Sequence, residues 1–100
     1  MAAPNSIPTP RRGIVLRQMD GEILLYRHVL KKTIYLNDSA AAVWQLCDGE
    51  RKVQQIVDIL ADAYPDMRAQ VSADVNSAID SLYREGAIRL ETRAAKTEQG

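Results

Sequence analysis

The sequence predicts an α+β domain in which a three-stranded antiparallel β-meander is followed by three α-helices. Three observations lead there. Two short runs rich in Ile, Leu, Val and Tyr flank an Asp-Gly pair. After Leu36 the apolar pattern changes from the strand period of two to the helical period of about 3.6. Three apolar stripes at helical spacing then follow, separated by Gly49 and Pro65.

Residues 1–12 carry Pro4, Pro8 and Pro10 with few large apolar groups and read as a flexible arm. Residues 14–19 and 22–28 form the first two strands. Asp20-Gly21 between them is a two-residue hairpin signal, because glycine accepts positive φ. The third strand is Thr33–Leu36, reached through the connection His28–Lys32.

Asn37, Asp38 and Ser39 are all good N-caps, since their side-chain oxygens accept free helix N–H groups. Ala40, Val43, Trp44 and Cys47 then share one helix face, and Trp44 is expected to be largely buried against the sheet. Gly49 supplies a stop. A second helix runs from about residue 52 to Tyr64, with Val53, Ile56, Val57, Leu60 and Tyr64 as its stripe and Pro65 at its end. The third begins between Asp66 and Ser72. It presents Val71, Val75, Ala78, Ile79 and Leu82, and Gly86 closes it. Ala87–Glu91 suit a short final strand, and residues 93–100 read as a frayed tail. The domain proper is thus expected over residues 13–92. Its second and third helices, joined across Pro65-Asp66, have the look of a helix-turn-helix with a sheet beside it.

Composition narrows the function classes. One hundred residues, 46% of them apolar, make one ordered domain with a modest core. Thirteen basic and thirteen acidic residues cancel, so no global charge draws the chain to nucleic acid or membrane. The balance hides an asymmetry: residues 1–36 hold six bases and two acids, and residues 37–100 hold seven bases and eleven acids. Either the two halves attract each other, or the basic half offers a surface to an acidic partner. The single cysteine allows no internal disulfide and fits a reducing compartment. No apolar run approaches the roughly 20 residues of a membrane span, and the N-terminus lacks a signal-peptide core. A soluble cytoplasmic protein is expected.

No catalytic set is legible. His28 is the only histidine and reads as a solvated turn residue; Cys47 is the only thiol and lies on an apolar stripe, as a buried small hydrophobe does. They cannot make a tetrahedral metal site, and the five glycines are too scattered for a phosphate loop. Neither metal, cofactor nor enzymatic activity is expected. A winged-helix DNA-binding regulator is the alternative that the helix pair suggests. However, the third helix and its flanks carry Asp66, Asp74, Asp80 and Glu85 against Arg68 and Arg84, which opposes approach to phosphates.

A meander has two edges, and an unpaired edge offers N–H and C=O groups to an extended chain. The third strand lies beside Lys31 and Lys32, and the helical half follows it. A groove between that strand and the third helix would combine an edge, an apolar wall and a basic lip. Equally, the lysines guard the edge against aggregation.

The segment Leu36-Asn37-Asp38-Ser39-Ala40-Ala41-Ala42-Val43-Trp44-Gln45-Leu46-Cys47-Asp48-Gly49-Glu50-Arg51 resembles the signature of the PqqD-like family, that of PQQ-biosynthesis protein D. Val53, Ile56, Val57, Leu60 and Tyr64-Pro65 match the amphipathic helix that comes next in that pattern. Asp74-Val75, Leu82 and Gly86-Ala87-Ile88 resemble the closing helix, so the likeness covers roughly residues 14–91. It implies a winged helix-turn-helix recognition element for ribosomally made, modified peptides. Such an element is a non-catalytic adaptor that binds the leader of a precursor peptide as an added strand between the third strand and the third helix. It delivers the leader to a modifying enzyme, in the PQQ pathway a radical SAM protein. Three positions depart from the pattern: Arg27–Lys31 lacks a Pro-Glu-Gly-like turn, Lys52 stands where Thr usually caps the second helix, and Ala87 replaces an aromatic residue. The pathway is therefore either PQQ or another peptide-modification system. Carried onto this chain, the implied peptide site comprises Lys31, Lys32, Thr33, Ile34, Tyr35 and Leu36, with Asp74, Val75, Ala78, Leu82 and Tyr83 from the third helix. Val75, Ala78 and Leu82 read equally well as core. Tyr35 and Tyr83 stand out, because a ring with a polar tip suits a partly wet groove.

Overall fold

The computed structural model describes residues 4–27 and 31–91. Strands β2 (Ile14–Met19), β3 (Glu22–Arg27) and β4 (Lys32–Leu36) form the meander, in the order β2-β3-β4 and antiparallel throughout. Asp20 and Gly21 both take positive φ, 51° and 80°, the turn whose twist matches that of the strands it joins. Registers place Leu16, Leu25 and Ile34 in one row across the sheet and Arg17, Leu24 and Tyr35 in the next. Period-two alternation then turns the first row inward and the second outward: Leu25 is fully buried, whereas Tyr35 is 67% exposed. His28, on the expected connection to β4, lies outside the described residues.

Helix α1 (Asp38–Leu46) starts at Asn37, whose Oδ1 accepts the Ala40 N–H at 2.8 Å. It turns Ala41 and Val43 into the core, with Cys47 just past its end. Trp44 packs against the core without being fully enclosed, because successive helix positions differ by about 100° and Val43 takes the fully inward direction. Helix α2 (Val53–Ala63) buries Val53, Ile56, Val57 and Ala61; Pro65 then opens a single 3-10 turn, Pro65–Met67. Helix α3 (Arg68–Arg84) buries Val75, Ala78, Ile79 and Leu82 against α1 and α2. No helix among the described residues is long and apolar enough to cross a membrane.

Residues 7–10 are not a loose arm. Ile7–Pro10 is strand β1, and it pairs antiparallel with β5 (Ile88–Glu91) as a separate two-stranded sheet. Two features hold it. Ile7 is 2% exposed, so the segment does contribute to the apolar interior. Its carbonyls and those just before it also serve the helical half. Ser6 O accepts from Val53 N–H at 2.9 Å, Pro4 O from Gln54 N–H at 3.1 Å, and Pro8 O from Gly49 N–H at 3.3 Å. Lys52, at the N-cap of α2, has no acceptor to offer the first free amides, and the N-terminal backbone takes that role. Prolines are tolerated in β1 because a two-stranded ribbon has no interior strand whose donors they could remove. Residues 1–3 and the expected tail, 93–100, lie outside the described residues.

Candidate functional site

Among the described residues β4 pairs with β3 alone, and its other edge has no strand partner. Beside that edge lies a groove of about 200 Å³ between β4, the start of α1 and α3. Ala78 and Leu82, both buried, form its floor, while Ser77, Ser81 and Ala40 stand along its walls with Tyr35 at the rim. Small side chains on this stripe of α3 leave width beside the strand, which a row of Leu or Phe would fill. At one end Lys32 Nζ sits 3.0 Å from Glu85 Oε1 and donates to the Glu85 carbonyl at 3.1 Å. That ammonium therefore lies at the C-terminus of α3, where the helix dipole favours a cation. Asn37, Ser39 and Asp74 mark the other end.

The structure brings most of the expected residues together. Tyr35, Leu36, Asp74, Ala78 and Leu82 all line the groove. Thr33 is exposed on β4, and Lys31 is exposed before it with φ 50°. Ile34 points into the core at 8% exposure, and Val75, at 1%, is core as well. Asp74 accepts a hydrogen bond from Gln70 Nε2 at 3.0 Å. Lys32 lies at the lip with 41% of its side chain exposed, and it shares its charge with Glu85. One expectation changes. Tyr83 is 53% exposed on a different side of α3, with Asp80 and Arg84, because it is one helix step away from the inward Leu82. Reasoning from apolar stripes missed Ser77 and Ser81. They flank Ala78 and Leu82 at helical spacing, and that phase is the signal that finds them.

The signature Leu46-Cys47-Asp48-Gly49 lies away from this groove. Cys47 is buried and its thiol is pushed up to about 12, first by burial and then by the Asp48 charge, so it stays protonated. Asp48 Oδ1 accepts from the N–H groups of Glu50 and Arg51, each at 2.9 Å, and its Oδ2 pairs with Arg51 Nη1 at 3.0 Å. Gly49, at φ 79°, brings its amide to β1. The motif shapes the turn on which the N-terminal strand rests.

The family model for Coenzyme PQQ synthesis protein D matches residues 15–88. The chain belongs to the PqqD family. Within PqqD relatives, a "PqqA binding protein" of Xanthomonas axonopodis pv. citri (strain 306) is 34% identical over 89 residues, covering 86% of this chain and 94% of the relative. A "PqqA binding protein" of Rhodopseudomonas palustris (strain HaA2) is 42% identical over 50 residues, half of this chain, and there the match spans only about half (49%) of the relative's length. Among solved structures, the one described as "TbiB1 in Complex with the TbiA(beta) Leader Peptide" superposes with a TM-score of 0.66 at 18% identity, covering 81% of this chain and 94% of that one. At that identity the likeness speaks for the fold: an α+β domain with strands followed by three helices. The PqqD match begins inside β2, so β1 lies outside it.

Proposed function

We propose that this PqqD-family chain is a non-catalytic adaptor that binds the leader of a ribosomally made precursor peptide as an extra strand along β4. It would present the leader to a modifying enzyme, a radical SAM protein in the PQQ pathway or the equivalent in another peptide-modification system. The observation that carries this reading is the open edge of β4 facing a groove walled by small residues of α3. Backbone groups of β4 would bond the guest strand whatever its sequence. Ala78, Leu82, Ser77 and Ser81 would select among its side chains. The relatives named for PqqA binding and the neighbour solved with a leader peptide support the same partner class. The protonated, buried Cys47 leaves no thiolate nucleophile, in keeping with a binding role. A reducing cytoplasm, where precursor peptides are made, suits the lone thiol. A DNA-binding role has no support, because α3 and its end expose acids beside the bases that would meet phosphates.

The test is an amide chemical-shift titration with synthetic PqqA peptide. The largest changes should fall in residues 32–36 and 74–82. Ser81→Leu should fill the groove, keep the melting temperature and weaken binding at least roughly tenfold. Shifts confined to α1 and α2, with β4 silent, would remove strand addition.

A further inference from the structure

The groove does not end at Asp74. Asp74 and Ser39 also belong to the wall of a second cavity, of about 320 Å³, that opens between α1, the end of α2 and the start of α3. Its lining is largely apolar: Ala42, Val43, Leu60, Tyr64, Met67 and Val71. Tyr64 is 58% and Met67 53% exposed, although an aromatic ring and a thioether both give up contact with water readily when an apolar partner is offered. Large apolar groups left in solvent around a concavity mark a place where something binds. Charge adds direction. Asp38 and Asp74 stand at this cavity, whereas the far end of the groove, at the start of β4, carries the exposed Lys31 beside the Lys32–Glu85 pair.

We infer that the second cavity continues the peptide site: it takes a bulky apolar side chain of the bound peptide, just beyond the Leu36 end of β4, with a neighbouring Lys or Arg facing Asp38 and Asp74. This rests on the strand-addition reading and extends it. A strand edge by itself accepts a guest in either direction, since parallel and antiparallel ladders are both feasible. An apolar plug at one end and opposite charges at the two ends remove that ambiguity, so the peptide enters in one direction and one register. The occupant is the peptide and not a second globular face, because the cavity shares two wall residues with the groove. It also admits a side chain or two, whereas a stable protein partner covers about 800 Å² per side.

The experiment tracks the methyl groups of Met67 and Val71 together with the β4 amides during titration with synthetic PqqA peptide. Both sets should move with one binding curve. The double variant Tyr64→Ala/Met67→Ala changes exposed side chains, should keep the free protein's amide spectrum at β4, and should weaken binding roughly tenfold. Asp38→Asn/Asp74→Asn should weaken it severalfold at low salt and much less at high salt. If the β4 amides shift while the Met67 and Val71 methyls stay still and the alanine pair binds as tightly as the parent, the extension is wrong and strand addition stands. Methyl shifts with silent β4 amides would overturn the continuity of groove and cavity. If neither set moves, both readings fall.

Discussion

Two edge strands of this small domain, β1 and β4, are treated in opposite ways. The outer edge of β1, in the β1–β5 ribbon, is closed to partners. Pro8 and Pro10 have no amide to offer, and the carbonyls of Pro4, Ser6 and Pro8 are occupied by amides of α2 and of the Gly49 turn. The β2–β3–β4 meander ends instead on β4, whose sequence Lys-Thr-Ile-Tyr-Leu has no proline and whose outer edge has no strand partner among the described residues. Both sheets are short and antiparallel, so geometry alone does not separate them. Proline content and the destination of the carbonyls do. The comparison teaches that an exposed edge in a small protein is informative where the same chain has taken care to close another one.

The largest expected effect breaks the closed sheet. Ile7→Ala should destabilise the domain by about 2–5 kcal/mol, as deletion of a buried Ile side chain does, read as a lower urea midpoint; a change below about 0.5 kcal/mol would mean that β1 hangs free in solution. Gly49→Ala should cost roughly 1–2 kcal/mol by the same measurement, since the backbone is left-handed there. Added Cβ contact contributes little, because Thr9 Cγ2 would lie at 3.5 Å.

On the open sheet, Lys31→Glu should leave stability within about 0.5 kcal/mol yet slow the association of an acidic peptide segment, an effect that fades as salt is raised. Lys32→Glu is the sharper contrast. It sets a carboxylate beside Glu85 and removes a cation from the end of α3, so thermal stability should fall with it. Equal stability in the two variants would mean that the Lys32–Glu85 pair is not maintained in solution.

The smallest effect concerns acid. The Asp48 carboxyl is held below its ordinary value of 3.8, chiefly by the backbone N–H groups of Arg51 and Glu50. A group whose pKa is lowered on folding stabilises the fold above its ordinary value and loses that contribution as pH falls through the folded one. The wild-type urea midpoint should thus decline below that value, and Asp48→Asn should decline less. The difference should be modest, because the pair with Arg51 is solvent-exposed.

Much of this organisation was legible in the chain. Asp20-Gly21 named the hairpin, because two successive positive φ angles suit few other pairs. Asn37 named the start of α1, and the change of period at Leu36 separated sheet from helices. β1 was not legible, since proline-rich composition is read locally while the reasons for its order are distant: an interior for Ile7, carbonyls sought by α2, and β5 near the far end of the chain. Within the groove, Tyr35, Asp74, Ala78 and Leu82 came from period and resemblance. Ser77 and Ser81 did not, because small polar residues read as solvated helix face. Tyr83 shows the converse error: an aromatic ring attracts attention although its helix phase points elsewhere.

The pairing of β1 with β5 also has a kinetic consequence. Thr9 Oγ1 donates to Glu91 Oε1 across 82 residues of chain. The hairpin Asp20-Gly21 and the helix pair α2–α3 form from near neighbours and need wait for nothing. The ribbon must close a loop spanning nearly the whole domain, at an entropic cost that grows with the logarithm of loop length. On a ribosome, Ile88–Glu91 emerge after every other described element, so β1 spends synthesis without its strand partner. Folding should accordingly divide into a fast local phase and a slower closure; the groove joins β4 to α3 across 53 residues, at Lys32 and Glu85, so it is completed only after the hairpin and the α2–α3 pair.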